Sequence, residues 1–162
     1  MTAYQADKTQ HARELAAAFK VALCIMDIPP ENAGANVKPH GEYLGTVKCG
    51  RIIDDTTYAV ALHEMGHVVA PCGGLPEERR RVTGAASLRV KLIEERAAWD
   101  WAMHYACDWT PAMEQVKQWA LSTYETGYAQ ALQAEQNRTT AERRPQMAVS
   151  MDIGKFSKRM EG

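Results

Sequence analysis

The 162-residue chain is short of the features that usually betray an environment. No apolar run approaches the roughly 18 residues that a membrane-spanning helix needs. The first segment, "MTAYQADKTQHARELAAAFK", places acids and bases ahead of any apolar run and has no small-residue cleavage site, so it does not read as a secretory signal. There is no C-x-x-C pair. Cys24, Cys49, Cys72 and Cys107 stand singly, which is the pattern of reduced thiols in a cytoplasmic protein rather than of a disulfide frame. Charge of one sign is lacking too: 19 basic side chains face 20 acidic ones, and a net charge of −1 offers no field to hold nucleic acid or a membrane surface. No internal repeat is visible.

What is present suits one folded domain. Apolar residues make up 46% and charged residues 24%, and a chain of this length buries a core without staples. Ala12, Leu15, Ala16, Phe19 and Ala22 recur at helical spacing and predict an amphipathic first helix over about 8–22. "DIPPENAGANVKPHG" predicts a loop. "EYLGTVKCGRIID" predicts a hairpin of two short strands turning at Cys49-Gly50, with Leu44, Val47, Ile52 and Ile53 facing the core. Asp54, Asp55 and Thr56 are N-cap candidates for the helix that follows. After a Gly/Pro break at 71–76, Ser87 is expected to cap a helix over about 88–107. Thr110-Pro111 then opens another helix, with Met113, Val116, Ala120, Tyr124, Tyr128 and Ala131 as a packing stripe. The order predicts an α+β fold, mostly helical with one small sheet, over residues 1–135. Periodicity fades from Gln136, and 136–162 is expected to be a mobile tail.

The chemistry concentrates in "YAVALHEMGHVVAPCGG". A helix advances about 100° per residue, so His63 and His67 lie about 40° apart, one turn from each other, where two imidazoles can share one tetrahedral ion. Glu64 sits one step round the helix, within reach of a water on such an ion without being a ligand. The alternative is two ordinary histidines at that spacing by chance. Against it, Tyr58, Ala61, Leu62, Met65, Val68 and Val69 cluster about 140° to 260° from His63, so burying that stripe turns the histidines toward a cleft. Ala59 and Gly66 flank the histidine face and leave room for other backbone to approach.

A catalytic zinc keeps three protein ligands and an open position. The spacing H-E-x-x-H-x-x-G-x-x-H is excluded, because Ala70 and Gly73 stand where its Gly and third His belong. His11, His40 and His104 read as solvated or core residues. "KLIEERAAWDWAMHYA" offers Glu94 and Glu95. Only Glu95 shares a face with Leu92, Ala98, Trp99, Ala102 and Ala106, and an acid in an apolar stripe needs a partner. Either that partner is a metal, or Glu95 forms a salt bridge at the rim.

"VALHEMGH" followed by "ERAAWDWA" resembles the ImmA/IrrE family of zinc metallo-endopeptidases, which carry H-E-x-x-H and then a helix of the form E-x-x-A-x-x-F-A. Glu95, Ala98 and Ala102 match, with Trp101 in the aromatic position, and the similarity covers roughly residues 42–107. The resemblance implies a minimal zincin-like domain with Zn2+ held by His63, His67 and Glu95, and Glu64 as catalytic base. It also implies a cytoplasmic protein substrate, such as a transcriptional repressor in a bacterial or prophage circuit. The chain departs from the family in lacking an arginine shortly before the motif and room for a helix-turn-helix module, and both departures bear on substrate more than on metal.

Peptide hydrolysis also needs a donor for the carbonyl oxygen, for which Tyr43, Arg51, His40 and Tyr105 are candidates. Asp54, Asp55 and Asp100 are candidates for orienting a zinc histidine, or else are caps and surface charges. An extended substrate could pair with the strand at about 42–48 if that strand is an edge. Arg79-Arg80-Arg81 reads as a solvated turn, and Cys72 as a loop thiol. The competing function is a zincin-like protein that binds zinc without catalysis and acts by protein contact. A nucleic-acid module using the arginine run is disfavoured by the net charge.

Overall fold

A computed structural model of the chain describes residues 3–70 and 83–157, and the side chains of these residues except 3, 4, 6 and 142–157. Cys72 and the Arg79–Arg81 run lie outside the described residues.

The first helix, α1, spans Ala3–Ala18 and buries Ala12 and Ala16. It ends sooner than its apolar spacing predicts. Lys20 takes a left-handed backbone (φ 53°), which costs a non-glycine residue about 1–2 kcal/mol and reverses the chain straight into β1, Val21–Ile25. The predicted loop contains a single 3-10 turn at Pro30–Asn32 and then β2, Gly34–Asn36. The last strand, β3, is Gly45–Cys49.

These strands form one sheet in the order β1-β3-β2, with β1 parallel and β2 antiparallel to β3. Leu23 and Ala35 both lie opposite Val47. Gly45, Val47 and Cys49 point into the core while Thr46 and Lys48 face outward, the alternation of a half-buried strand. The sheet predicted before the histidine helix is present, but the hairpin at 42–54 is not. Beyond Cys49, Gly50 passes so close to the carbonyl of Ile28 that a Cβ would overlap it, and Ile52 drops into the core while Ile53 stays exposed. The strand at 45–49 is also the centre of the sheet. It therefore offers no free edge to an extended substrate; among the described residues the free edges belong to β1 and β2.

The histidine helix, α2, spans Asp55–Val69. Of its three N-cap candidates, Asp54 is the cap: its carboxylate accepts from the Thr57 backbone N–H at 2.8 Å, and the Thr57 hydroxyl accepts from the Asp54 N–H at 3.1 Å. Tyr58, Ala61, Leu62 and Met65 are fully buried, so the predicted stripe is the core face, against Val47, Trp99, Ala102 and Met113.

Next comes α3, Gly84–Tyr105. Ser87 is not its cap. The helix starts three residues earlier, and the Ala85 N–H is satisfied by the Glu135 carboxylate at 2.8 Å, from the following helix. Gly84 makes this possible, with a φ of +63° and no side chain to collide with Glu135. That following helix, α4, spans Pro111–Ser157. Thr110 caps it as predicted, its hydroxyl accepting from the Met113 N–H at 3.4 Å, with Pro111 at the first helical position. Over 136–157 the backbone stays helical although the apolar stripe has faded. The architecture is α+β, and no helix among the described residues is long and apolar enough to cross a membrane.

Candidate metal centre

Two helices build the centre, and a glycine sets their distance. At the crossing of α2 and α3 a methyl on Gly66 would lie 2.8 Å from Ala98 Cα, closer than any side chain tolerates, so only glycine lets the two backbones meet there. Glu95 lies one turn before Ala98 and is carried over the face that holds His63 and His67.

The Glu95 carboxylate spans both imidazoles. Its Oε2 is 3.0 Å from His63 Nε2, and its Oε1 is 3.5 Å from His67 Nε2. Ligands held tetrahedrally at about 2.0–2.1 Å from zinc are about 3.3–3.4 Å from one another, so these separations bracket those of a zinc-sized shell. One ligand atom from each of the three residues fits within 4.8 Å of the others. The set of two imidazoles and a carboxylate is the borderline-soft donor set that zinc and its neighbours take.

His63 is fixed from three sides. The Trp99 indole stacks on it at 4.2 Å and 17°, Glu95 meets its Nε2, and Glu64 Oε1 lies 3.5 Å from its Nδ1. A carboxylate at Nδ1 favours the tautomer that leaves Nε2 free to bind a cation. The stacked orientation is kept although the buried Trp99 indole N–H has no hydrogen-bond partner among the described residues. Burial works against a charged His63, but Glu64 and Glu95 outweigh it and raise its pKa above 6.5. Burial likewise works against a charged Glu95, and hydrogen bonds to His63 and His67 reverse it, bringing the carboxyl down to about 2. Among the described residues no lysine or arginine pairs with Glu64 or Glu95; two half-buried acids share two imidazoles and nothing else cationic.

The other candidates lie elsewhere. Arg51 pairs with Asp27 on the exposed surface, Tyr105 packs edge-on against Phe19, and His40 and Tyr43 form an isolated backbone bridge. Asp54 is the cap of α2, Asp55 is held by Lys8, and Asp100 is exposed. His11 bonds the Tyr58 hydroxyl at 2.7 Å, and His104 packs on Tyr105. Glu94 corrects the helical-face argument: it is 2% exposed, more buried than Glu95, because α3 packs against both α2 and α4 and its buried arc is wider than one stripe. Cys49 lies near Glu64, and burial together with that carboxylate pushes its thiol up to about 11, so it stays protonated and is a poor ligand.

One hydroxyl close to the cluster was not among the candidates. Tyr124, half-buried on α4, lies near enough to Glu95 and Glu64 for their charges to act on its phenol. Burial first, then Glu95 and Glu64, push its phenol up to about 12, so it remains a donor at any physiological pH. The signal was available: Tyr124 is a polar group in an apolar stripe, as Glu95 is.

Comparison of the chain with family models, with curated proteins and with solved structures gave no match.

Proposed function

We propose that the protein is a cytoplasmic zinc-dependent endopeptidase that cleaves one or a few specific proteins, a transcriptional repressor in a bacterial or prophage circuit being the substrate suggested by the resemblance to ImmA/IrrE peptidases. The observation that carries this reading is the convergence of His63, His67 and Glu95 from two helices with a further acid, Glu64, beside them that is not one of the ligands.

When bound, zinc would supply a Lewis acid for the peptide carbonyl and a lowered pKa for water. The chain supplies the rest. Glu95 stays ionised and draws both Nε2 atoms toward one point. Trp99 and Glu64 hold the plane and tautomer of His63. Glu64 would take a proton from the attacking water and return it to the leaving amine, a role that requires a side chain able to swing from His63 Nδ1 toward the open side of the cluster. A zincin-like protein acting by contact alone would use the same ligands, with Glu64 orienting His63 but moving no proton.

The test compares wild type, Glu64→Gln and His63→Ala after zinc loading. Each is incubated with a peptide library drawn from a bacterial proteome, and products are read by mass spectrometry. Wild type is expected to bind one zinc and cleave; Glu64→Gln should keep the zinc and lose a factor on the order of 10² to 10⁴ in rate; His63→Ala should lose the zinc. Equal cleavage by wild type and the zinc-loaded Glu64→Gln would remove Glu64 as base. Zinc binding without cleavage by either would leave the contact protein as the better account.

A further inference from the structure

The two edges of the sheet differ in how they are guarded. At β2 the edge is the three-residue strand Gly34–Asn36, too short to template another chain. At β1 it is Val21–Ile25, five apolar residues without a charge or a proline, about 17 Å of strand. Pairing with β3 uses the even-numbered residues here: the Leu44 N–H donates to the Lys20 carbonyl and the Met26 N–H to the Cys49 carbonyl, both at 2.8 Å. Successive residues of a strand turn their N–H and C=O to opposite sides, so Val21, Leu23 and Ile25 turn theirs to the open edge. A groove of about 410 Å³ lies between that edge and α1. The small side chains of Ala16 and Ala17 keep it open, Val21–Cys24 and Tyr43 line it opposite them, and Arg13 stands in its wall. No lining residue is acidic, and the exposed Arg13 has no ion pair or hydrogen bond among the described residues.

We infer that this edge and its groove are a docking site for an extended segment of a partner protein that carries an acidic side chain. The segment adds to β1 as a further strand. Its main chain bonds Leu23 and Ile25, and its carboxylate meets the Arg13 guanidinium. Charge selects this occupant. A second copy of the chain pairing edge to edge would present Val21–Ile25 itself, which holds no carboxylate for Arg13. None of His63, His67 and Glu95 lines the groove, so the inference stands apart from the metal reading.

The experiment pans a random peptide library against the full chain in EDTA, so that no peptide is cut. Enriched peptides are synthesised, and their binding is read by fluorescence anisotropy and by hydrogen exchange of the backbone amides. The expected peptides mix apolar residues with Asp or Glu and slow exchange at Leu23 and Ile25. They tolerate N-methylation of alternate residues in one phase and lose binding in the other, because only one phase faces β1. Arg13→Glu should raise their Kd about tenfold, and replacing the peptide's acid with Lys should recover most of that loss. The N-methylation arm uses the wild-type chain, so it decides the main-chain part whatever Arg13→Glu does to the fold. A library with no enriched peptide, or peptides indifferent to N-methylation or to Arg13→Glu, would overturn the inference. Exchange at Leu23 and Ile25 that is already slow in the protein alone would overturn it too, because a second copy or another part of the chain would then hold the edge.

Discussion

At the N-terminal end of α2, Lys8 is 3% exposed and lies 2.8 Å from Asp55 and 2.9 Å from Asp108, with its ammonium 4.8 Å above the Tyr58 ring. Further along the same helix, Glu64 and Glu95 face His63 and His67. Both regions place two carboxylates against nitrogen bases in partly dry surroundings. At the first, the chain supplies a permanent cation, and the Tyr58 hydroxyl closes the cluster by bonding His11 and accepting from the Cys107 N–H at 3.2 Å. At the second, the only positive charge the described residues offer is a proton on an imidazole. The first is a finished tie between α1, α2 and the turn before α4. The second satisfies its acids by borrowing a proton, and a divalent cation would satisfy them as well. One helix thus separates structural charge from charge left open to exchange.

That difference has a pH signature, and it is the largest effect expected. His63 has a raised pKa, so in the metal-free protein its contribution to stability is fully present below its unfolded value of 6.5 and is lost as pH rises through the folded one. Glu95 is depressed, so its contribution is present above 4.5 and is lost as pH falls toward about 2. The metal-free cluster therefore stabilises the fold most between 4.5 and 6.5. Zinc bound as proposed would reverse the His63 side, because it would have to displace that proton. Its affinity should fall about tenfold per pH unit below the His63 pKa, roughly a hundredfold over two units from this residue alone. Chelator competition across that range, with metal-free urea unfolding in parallel, checks both signs. A zinc affinity that stays flat with pH would mean that the imidazoles are not ligands.

The closed cluster responds to a different change. Lys8→Met keeps the length and apolar stem but removes the ammonium that Asp55 and Asp108 share. Breaking a fully buried pair costs about 3–5 kcal/mol. Asp55 is about a fifth exposed and Asp108 nearly half, so water compensates and about 2 kcal/mol is expected, read as a lower urea midpoint. Zinc stoichiometry should not change. A zinc deficit in this variant would show that the two ends are coupled, against the separation drawn here.

The legibility of the molecule follows the same division. His63, Glu64, His67 and the buried stripe beneath them were readable because one helix determines their angles, and a helix is a local object. Glu95 was readable because a carboxylate among Leu92, Ala98, Trp99 and Ala102 demands a partner. What the sequence hid was contact between distant segments. The true partners of β3 come from 21–25 and 34–36, and a three-residue strand such as Gly34–Asn36 leaves no alternating pattern to detect. The start of α3 depends on Glu135, fifty residues away, and so displaced the local signal of Ser87. Lys8 carries no local signal, and nothing near it in sequence announces Asp55 or Asp108. Tyr124 had the right local oddity, but a hydroxyl in an apolar stripe has many ordinary explanations.

The smallest effect concerns the cap that begins α2. Asp54 accepts from the Thr57 N–H at 2.8 Å and from the Thr57 hydroxyl at 2.8 Å, while that hydroxyl accepts from the Ile53 N–H at 2.9 Å and from the Asp54 N–H at 3.1 Å. Asp54→Ala removes the acceptor for a half-buried N–H and frees the Thr57 hydroxyl to turn. The typical cost of losing such a cap is about 1 kcal/mol. Asp54→Asn keeps an oxygen at the same place and loses only the favourable charge at the helix N-terminus, about 0.3–1 kcal/mol at low salt and less at high salt. The two variants therefore separate hydrogen bonding from charge: in Asp54→Asn the deficit should shrink as salt is added, and in Asp54→Ala most of it should remain. Zinc binding is expected to match wild type in both, because His63 lies beyond two closed turns whose bonds do not involve the cap. A salt-insensitive deficit in Asp54→Asn would contradict the electrostatic share. A loss of zinc affinity in Asp54→Ala with unchanged urea midpoint would contradict the picture of a helix whose two ends act independently.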